Sequence, residues 1–259
     1  MKLEGRVAVI TGGGHGIGEA IATRFAAEGA AVALCGTGRE RLAETAAAIR
    51  ATGAQALALV ADVSDEAAVE RLVATTVHEL GRLDILVNNA GIAGPTAAVA
   101  DLDRSDWSRT LAINLTGAML CAKHAIPHLA ESGHGRILNI TSVAGLIGYA
   151  LRSPYAASKW GMIGLTRSLA IELGPQGVTV NAIAPGSVRG ERLDNVIRNR
   201  ATALGRPAED VEREFYVAPN ALQRMVEPEE IAATAVFLCS DEAGGITGET
   251  LGVTAGFRI

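Results

Sequence analysis

Aromatic residues, cysteines and excess positive charge are all scarce in this sequence, and each shortage closes off a class of function. Phe, Trp and Tyr together make up 3% of the 259 residues. Lys and Arg are scattered rather than interleaved with aromatics, and 23 of them against 28 Asp and Glu leave a formal net charge of -5. Such a surface offers no bulk attraction to phosphate backbones or anionic membranes, so no nucleic-acid or membrane partner is expected. The three cysteines, Cys35, Cys121 and Cys239, are far apart and form no C-x-x-C pair, which suggests neither a disulfide framework nor a zinc site. They read as small buried hydrophobes. No apolar run approaches the ~18 residues of a membrane span, and the chain enters a strand-like segment directly after Met1-Lys2-Leu3-Glu4-Gly5, so a cytoplasmic protein is expected. His15, His78, His124, His128 and His134 have no metal-type partners. His124 and His128 are four apart but lack the Glu of H-E-x-x-H, so no metal is expected.

What the chain does contain is apolar bulk and glycine. Hydrophobic residues reach 49%, mean hydropathy is +0.25, and there are 30 glycines. That composition excludes disorder and calls for a large core. Apolar β-type runs alternate with helix-period stretches: strand 6–10, helix 16–28, strand 31–35, helix 39–51, strand 55–61, helix 66–80, strand 85–88, helix 107–129, strand 136–140, helix 154–173, strand 178–184 and helix 228–238. In the third helix Val69, Leu72, Val73, Val77 and Leu80 share a face. Continuous apolar strands are buried on both faces, which implies an α/β fold: a Rossmann-type doubly wound domain with a mainly parallel sheet and helices on both faces. With no linker, repeat or low-complexity segment, 1–259 reads as a single domain. The rhythm breaks at 187–227, a polar, helix-compatible insertion that emerges where ligands bind in such sheets and reads as a substrate lid.

After the first strand comes Thr11-Gly12-Gly13-Gly14-His15-Gly16-Ile17-Gly18, opening straight into a helix. Glycines let the backbone approach a phosphate, and the helix N-terminus offers free N–H groups and partial positive charge. The spacing is T-G-x-x-x-G-x-G rather than G-x-G-x-x-G. Four further segments stand in order behind it: Asn88-Asn89-Ala90-Gly91, Ser142, Tyr155-x-x-x-Lys159 and Pro185-Gly186. With these motifs the chain resembles the classical short-chain dehydrogenase/reductase family over nearly its whole length, which implies that 1–259 is one dinucleotide-binding and catalytic domain.

Tyr155 and Lys159 are four apart on a predicted helix, so their Cβ atoms lie roughly 5–6 Å apart on one face. A phenol of ordinary pKa about 10 is a poor base near neutral pH, and an adjacent ammonium favours its ionised form. Tyr155 then reads as the general acid/base. The resemblance adds that Lys159 also holds the nicotinamide ribose. Ser142 closes the apolar run of the fifth strand, where its hydroxyl can donate to a substrate oxygen, and it stands 13 residues before Tyr155, as in the family. Thr141 is the fallback hydroxyl, although alternation along the strand points it elsewhere. Asn114 is a poor helix residue at an apolar location; the resemblance makes it the fourth catalytic residue, holding a water that relays protons from Lys159, while the bland reading is a satisfied buried amide.

The resemblance places cofactor contacts at Gly12, Gly14, His15, Gly16, Ile17, Gly18, Asp62, Val63, Asn88, Ala90, Gly91, Pro185, Gly186 and Val188. Asp62 or Ser64 could equally cap the helix at 66, and the Asn88 motif could equally hold strands together. The family often carries Thr four residues after the glycine at 186, where this chain has Gly190. At the end of the second strand, Gly36-Thr37-Gly38-Arg39 lacks the acid that binds a ribose 2′-hydroxyl and repels a 2′-phosphate. Thr37 and Arg39 can donate to phosphate, so NADP(H) is expected to be preferred, with NAD(H) possible; His15 is a weaker point, since NADP-preferring members often have Arg or Lys there.

The expected function is hydride transfer between nicotinamide and a small-molecule carbonyl or secondary alcohol. The alternatives are a 3-oxoacyl-thioester reductase of acyl-carrier-protein type and a catalytically silent nucleotide-binding scaffold; the full Asn-Ser-Tyr-Lys set argues against silence. Arg152, Arg189, Arg192 and Arg198 could clamp an anionic substrate or simply form a salt-bridged lid surface. The resemblance further implies a homotetramer, with helices 107–129 and 154–173 packing in pairs and a last strand at 248–253 serving a second interface; the apolar content of those helices, including Ile163, Leu165 and Leu169, is compatible with burial on more than one side.

Overall fold

The computed structural model describes residues 1–257. Its strands are β1 (Val7–Thr11), β2 (Ala31–Gly36), β3 (Ala56–Val60), β4 (Ile85–Asn88), β5 (Arg136–Ile140), β6 (Thr179–Pro185) and β7 (Thr250–Val253). They form one parallel sheet in the order β3-β2-β1-β4-β5-β6-β7. The helices are α1 (Gly16–Ala27), α2 (Arg39–Ala51), α3 (Glu66–Leu80), α4 (Arg104–Leu111), α5 (Gly117–Glu131), α6 (Ser153–Leu173), α7 (Glu191–Leu204), α8 (Ala208–Glu212) and α9 (Pro228–Cys239). The doubly wound expectation holds.

Successive strand residues feed two separate cores, as a period of two requires. Ala8, Ile10, Val32, Leu34, Ile85, Val87, Leu138, Ile140 and Ile183 pack under α1, α2 and α9 with Ile21, Phe25, Leu42, Ile49, Ile231 and Val236. Val9, Ala33, Cys35, Leu86, Ile137 and Val180 pack on the other face under α3, α5 and α6 with Val69, Leu72, Leu129, Leu169 and Leu173. Inner strands are therefore buried throughout, whereas β3 at the edge alternates and leaves Val60 47% exposed. All three cysteines are buried, and burial pushes the Cys35 and Cys239 thiols up to about 12, so they are inert packing groups.

Two local expectations are corrected. The helix at 107–129 is α4 and α5 joined by a π-turn, Ala112–Thr116, at whose centre Asn114 lies fully buried. The Asn114 amide bonds the backbone of Ile92, and the widened turn is the kind of interruption that re-aims a side chain. The cap of α3 is Asp65, which accepts from Ala67 and Ala68; Asp62 instead accepts from the backbone N–H and hydroxyl of Ser64.

Segment 187–227 leaves β6 and returns beside itself. Val188 bridges Val226, the Arg189 N–H donates to the Val226 carbonyl, and Arg189 Nε lies 3.0 Å from Glu227. Between these ends α7, α8 and a π-turn at Arg213–Val217 enclose a small core of Ile197, Ala201, Val211, Tyr216 and Met225.

The first turn of α1 tolerates no side chain at position 18, because a Cβ there would lie 2.0 Å from the Gly12 carbonyl oxygen. Gly18→Ala is expected to lower stability in urea unfolding by at least ~2 kcal/mol, the scale of overpacking against backbone. Gly38→Ala, at a position with φ -86 and open space around it, should leave the midpoint nearly unchanged.

Candidate active site

Strand order reverses between β1 and β4, and the crevice at their carboxyl ends is where such sheets take ligands. Thr11 closes it from below: its Oγ1 donates to the Val87 carbonyl and accepts from the N–H groups of Asn89 and Ala90. The Asn89 amide donates to the carbonyls of Thr11 and Gly12. Gly12 adopts φ +67, and a Cβ there would meet Asn89 Nδ2 at 2.8 Å. Gly14 rests against the backbone of Arg41 and Leu42, while Gly16 adopts φ +56 with open space where a side chain would be. His15 is the N-cap of α1 and makes no side-chain cap bond. An uncapped N-terminus on a 12-residue helix, lined by glycines, fits the pyrophosphate of a dinucleotide. Ile17 is half-buried behind this loop, next to the core under α1.

The remaining cofactor candidates divide. Thr37, Arg39 and Asp62 are exposed at the rim, and Val63 is buried against Gly117. Gly36 has room, since a Cβ there would only touch Leu42 at 3.8 Å. The Asn88 side chain turns inward, donating to the Asn139 side chain and the Ala118 carbonyl, so the amide ties β4 to β5 and α5. Gly91 separates Asn114 from Lys159: a Cβ there would lie 3.0 Å from Asn114 Oδ1 and 3.8 Å from Lys159 Nζ. Pro185 ends β6, and Gly186 presses on the Thr254 backbone. Gly190 adopts φ +136, a conformation closed to a β-branched threonine.

At the end of β5 the two hydroxyls separate. Thr141 is buried and donates to the Lys159 carbonyl at 2.9 Å. Ser142 accepts from the Ala144 N–H as the cap of a short turn, which leaves its hydroxyl proton uncommitted among the described residues. Lys159 Nζ donates to the Ile140 carbonyl at 2.8 Å and lies 5.7 Å from the centre of the Tyr155 ring. Arg152 and Arg192 approach the same ring at 5.6 and 5.7 Å. Burial, with Arg192 adding to it, pulls Lys159 down to about 7. Among the described residues Asn114 shares no hydrogen bond with Lys159; its Nδ2 donates to Ser158, whose hydroxyl donates to the Tyr155 carbonyl.

Sequence reasoning overlooked Tyr149, Tyr216 and Ser158. The chain has three tyrosines, and all converge here: the Tyr149 and Tyr216 oxygens lie 3.5 Å apart, and Arg152 sits over the rings of both Tyr149 and Tyr155. Scarcity was the available signal, since a chain with so few phenols has gathered every one of them at one crevice.

Fold and crevice together define a dinucleotide-binding oxidoreductase. A family model described as "Enoyl-(Acyl carrier protein) reductase" matches residues 12–258. The (2S)-[(R)-hydroxy(phenyl)methyl]succinyl-CoA dehydrogenase subunit BbsD of Thauera aromatica is 40% identical, over 99% of this chain and 98% of its own. The cis-4-hydroxycyclohexanecarboxylate dehydrogenase of Sinomonas cyclohexanicum is 41% identical, over 97% and 96%. Among solved structures, NAD+-bound xylitol dehydrogenase superposes with a TM-score of 0.95 at 34% identity, covering 99% of this chain and 100% of that one. The chain belongs to the classical short-chain dehydrogenase/reductase family. It is an NAD(P)-dependent oxidoreductase acting on carbonyl and secondary alcohol groups.

Lys159 also yields a stability test. Its value falls from 10.5 to about 7 on folding, so between those values the unfolded chain binds the extra proton. The burden of the buried charge is fully present below pH 7 and fades as pH rises toward 10.5. Lys159→Met is therefore expected to raise the Tm of the cofactor-free protein at pH 6, with the gain shrinking toward zero by pH 10. An equal change at both pH values would contradict the depressed value.

Proposed function

We propose that Tyr155 gives or takes the substrate proton, Ser142 donates to the substrate oxygen, Lys159 holds the nicotinamide ribose, and Asn114 holds a water that relays protons from Lys159. The observation that carries this reading is the Tyr155 ring with the buried, carbonyl-anchored ammonium of Lys159 beside it: positive charge is preorganised where negative charge develops on the phenolic and substrate oxygens. The bound nicotinamide supplies the hydride chemistry. Gly12, Gly14, His15, Gly16, Ile17 and Gly18 would cradle its pyrophosphate, Asp62 and Val63 the adenine, and Ala90, Gly91, Pro185, Gly186 and Val188 the nicotinamide side, with Asn88 acting through its backbone. Segment 187–227 acts as the substrate lid of a single domain. The relatives, named for hydroxy compounds and for xylitol, support a secondary alcohol or the matching ketone as substrate.

NADP(H) is the preferred cofactor in this reading. Its support is the exposed Gly36–Arg39 turn, which offers Thr37 and Arg39 and no carboxylate. The protein acts as a cytoplasmic homotetramer. The support for assembly lies in the apolar residues left exposed: Trp107 on α4, Met119 on α5, Trp160 and Ile171 on α6, and Leu251 on β7. Ile163 and Leu169 are buried within the protomer, Leu169 in the core under α6.

Tyr155→Phe should lower turnover by about 10² to 10⁴ with folding and cofactor affinity retained. Ser142→Ala should approach that loss in steady-state assays and Thr141→Ala should be milder; the reverse order would assign the substrate-facing hydroxyl to Thr141. Gly36→Asp should shift the kcat/KM ratio toward NAD(H), and unchanged NADP(H) use in that variant would show that this turn does not read the phosphate. Light scattering at micromolar concentration should give four times 26.7 kDa, and a monomer would remove the assembly.

A further inference from the structure

Tyr155 is the third residue of α6, in a first turn whose N-cap, Arg152, makes no side-chain cap bond. The opening N–H groups of a helix have no partner within it, so this turn is held by tertiary contacts. Three cations reach the Tyr155 ring. Lys159 is anchored on the Ile140 carbonyl, and Arg192 approaches from the lid while remaining exposed. Arg152 differs from both: it is 5% exposed, and no carboxylate pairs with it among the described residues.

The Arg152 guanidinium spans two segments. Its Nη2 donates to the Ala93 carbonyl at 2.7 Å and its Nη1 to Thr96 Oγ1 at 3.4 Å, both in the loop after β4. Its Cζ stands 5.6 Å from the centre of the Tyr155 ring and 5.8 Å from that of Tyr149. A buried guanidinium is tolerated where acceptors and aromatic faces replace its hydration. The Nε–H, buried without an acceptor, leaves that replacement incomplete. Leu151 beside it adopts φ +63, a left-handed conformation unfavourable for leucine, and its carbonyl accepts from the Ala97 N–H at 3.0 Å. A strained residue and an incompletely bonded cation therefore adjoin the reacting tyrosine, and the same loop holds both. Such costs concentrate where position matters to function.

We propose that Arg152 is a positioning residue: its fork clamps the start of α6 to the loop after β4, and so fixes the Tyr155 ring relative to the nicotinamide side of the site, where Ala90 and Gly91 lie. The inference rests on the roles of Tyr155 and of that loop proposed above. Arg152 acts through the ring and requires no contact with substrate. The clamp is read without turnover, by amide hydrogen exchange in the NADPH-bound enzyme. Arg152→Met removes the charge and the fork and should speed exchange at 93–98 and 153–156 tenfold or more; unchanged exchange overturns the proposal. The catalytic consequence is read with NADPH and acetoin or 4-oxocyclohexanecarboxylate, whichever the wild type reduces faster. In Arg152→Met kcat should fall tenfold or more while KM and NADPH affinity stay within threefold. The isotope effect on kcat from C4-deuterated NADPH should be as large as in wild type or larger, because chemistry limits the variant. Arg152→Lys keeps the cation without the planar fork and should recover only part of the loss. A kcat within threefold of wild type in Arg152→Met overturns the proposal. So does a loss in which NADPH affinity falls in step, since the arginine then serves the fold or the cofactor. If Arg152→Met does not fold, Arg152→Lys decides: wild-type kcat overturns the proposal, and a threefold or greater loss with an undiminished isotope effect supports it. Faster exchange in Arg152→Met alongside full turnover in Tyr155→Phe would support the clamp and remove Tyr155 from its assigned role.

Discussion

Lys159 brings an ammonium to a place where it is 3% exposed to water, and much of the active-site architecture is arranged about that one group. A buried cation is tolerated only where hydrogen-bond acceptors replace its hydration. Here the carbonyl of Ile140, the last residue of β5, takes that part. The same contact fixes how α6 lies against the end of β5: Thr141 bonds the Lys159 carbonyl, and Gly145 approaches that carbonyl so closely that a Cβ would sit 2.8 Å from it. With α6 held there, Tyr155 one turn earlier faces the crevice and Ser142 caps the turn beside it. Burial and the nearby Arg192 hold Lys159 below its usual range, and negative charge brought into the crevice would raise it again.

The opposite wall depends on close backbone contact rather than charge. Thr11, Gly12, Gly18 and Asn89 bring the start of α1 against the end of β4, with the glycines omitting the atoms that would otherwise collide. That approach leaves the free N–H groups of α1 pointing into the crevice between β1 and β4. Asn114 connects the two walls: its amide bonds Ile92 beyond β4 on one side and Ser158 of α6 on the other. The π-turn that holds it is the geometric consequence of serving both.

Above the crevice, the lid segment is tied where it leaves and rejoins the fold, and the Arg41–Glu191 pair links the start of α7 to α2. Exposed pairs of this kind add little stability. They join α7 to the rest of the fold; Arg192 reaches the Tyr155 ring while remaining exposed, and Arg200 stacks on Phe215.

The parts legible from the sequence were those dictated by local periodicity and by spacing along the chain. Buried parallel strands read as unbroken apolar runs, amphipathic helices such as α3 show their face directly, and the glycine loop and the Tyr155–Lys159 pair lie within a few residues of one another, where geometry follows from one turn of helix. The tertiary structure decided whatever depends on residues far apart in the chain. It separated Thr141 from Ser142, because only the packing of α6 shows which hydroxyl is consumed by the Lys159 carbonyl. It turned Asn88 into a strand tie and Asp62 away from the cap of α3, since the alternative bonding partners were equally close in sequence. It also brought Tyr216 to Tyr149, 67 residues away in the chain, and Arg152 over the ring of Tyr149. Such meetings leave no trace in local pattern, because the energy that creates them comes from burial and charge compensation between elements that only the complete fold brings into contact.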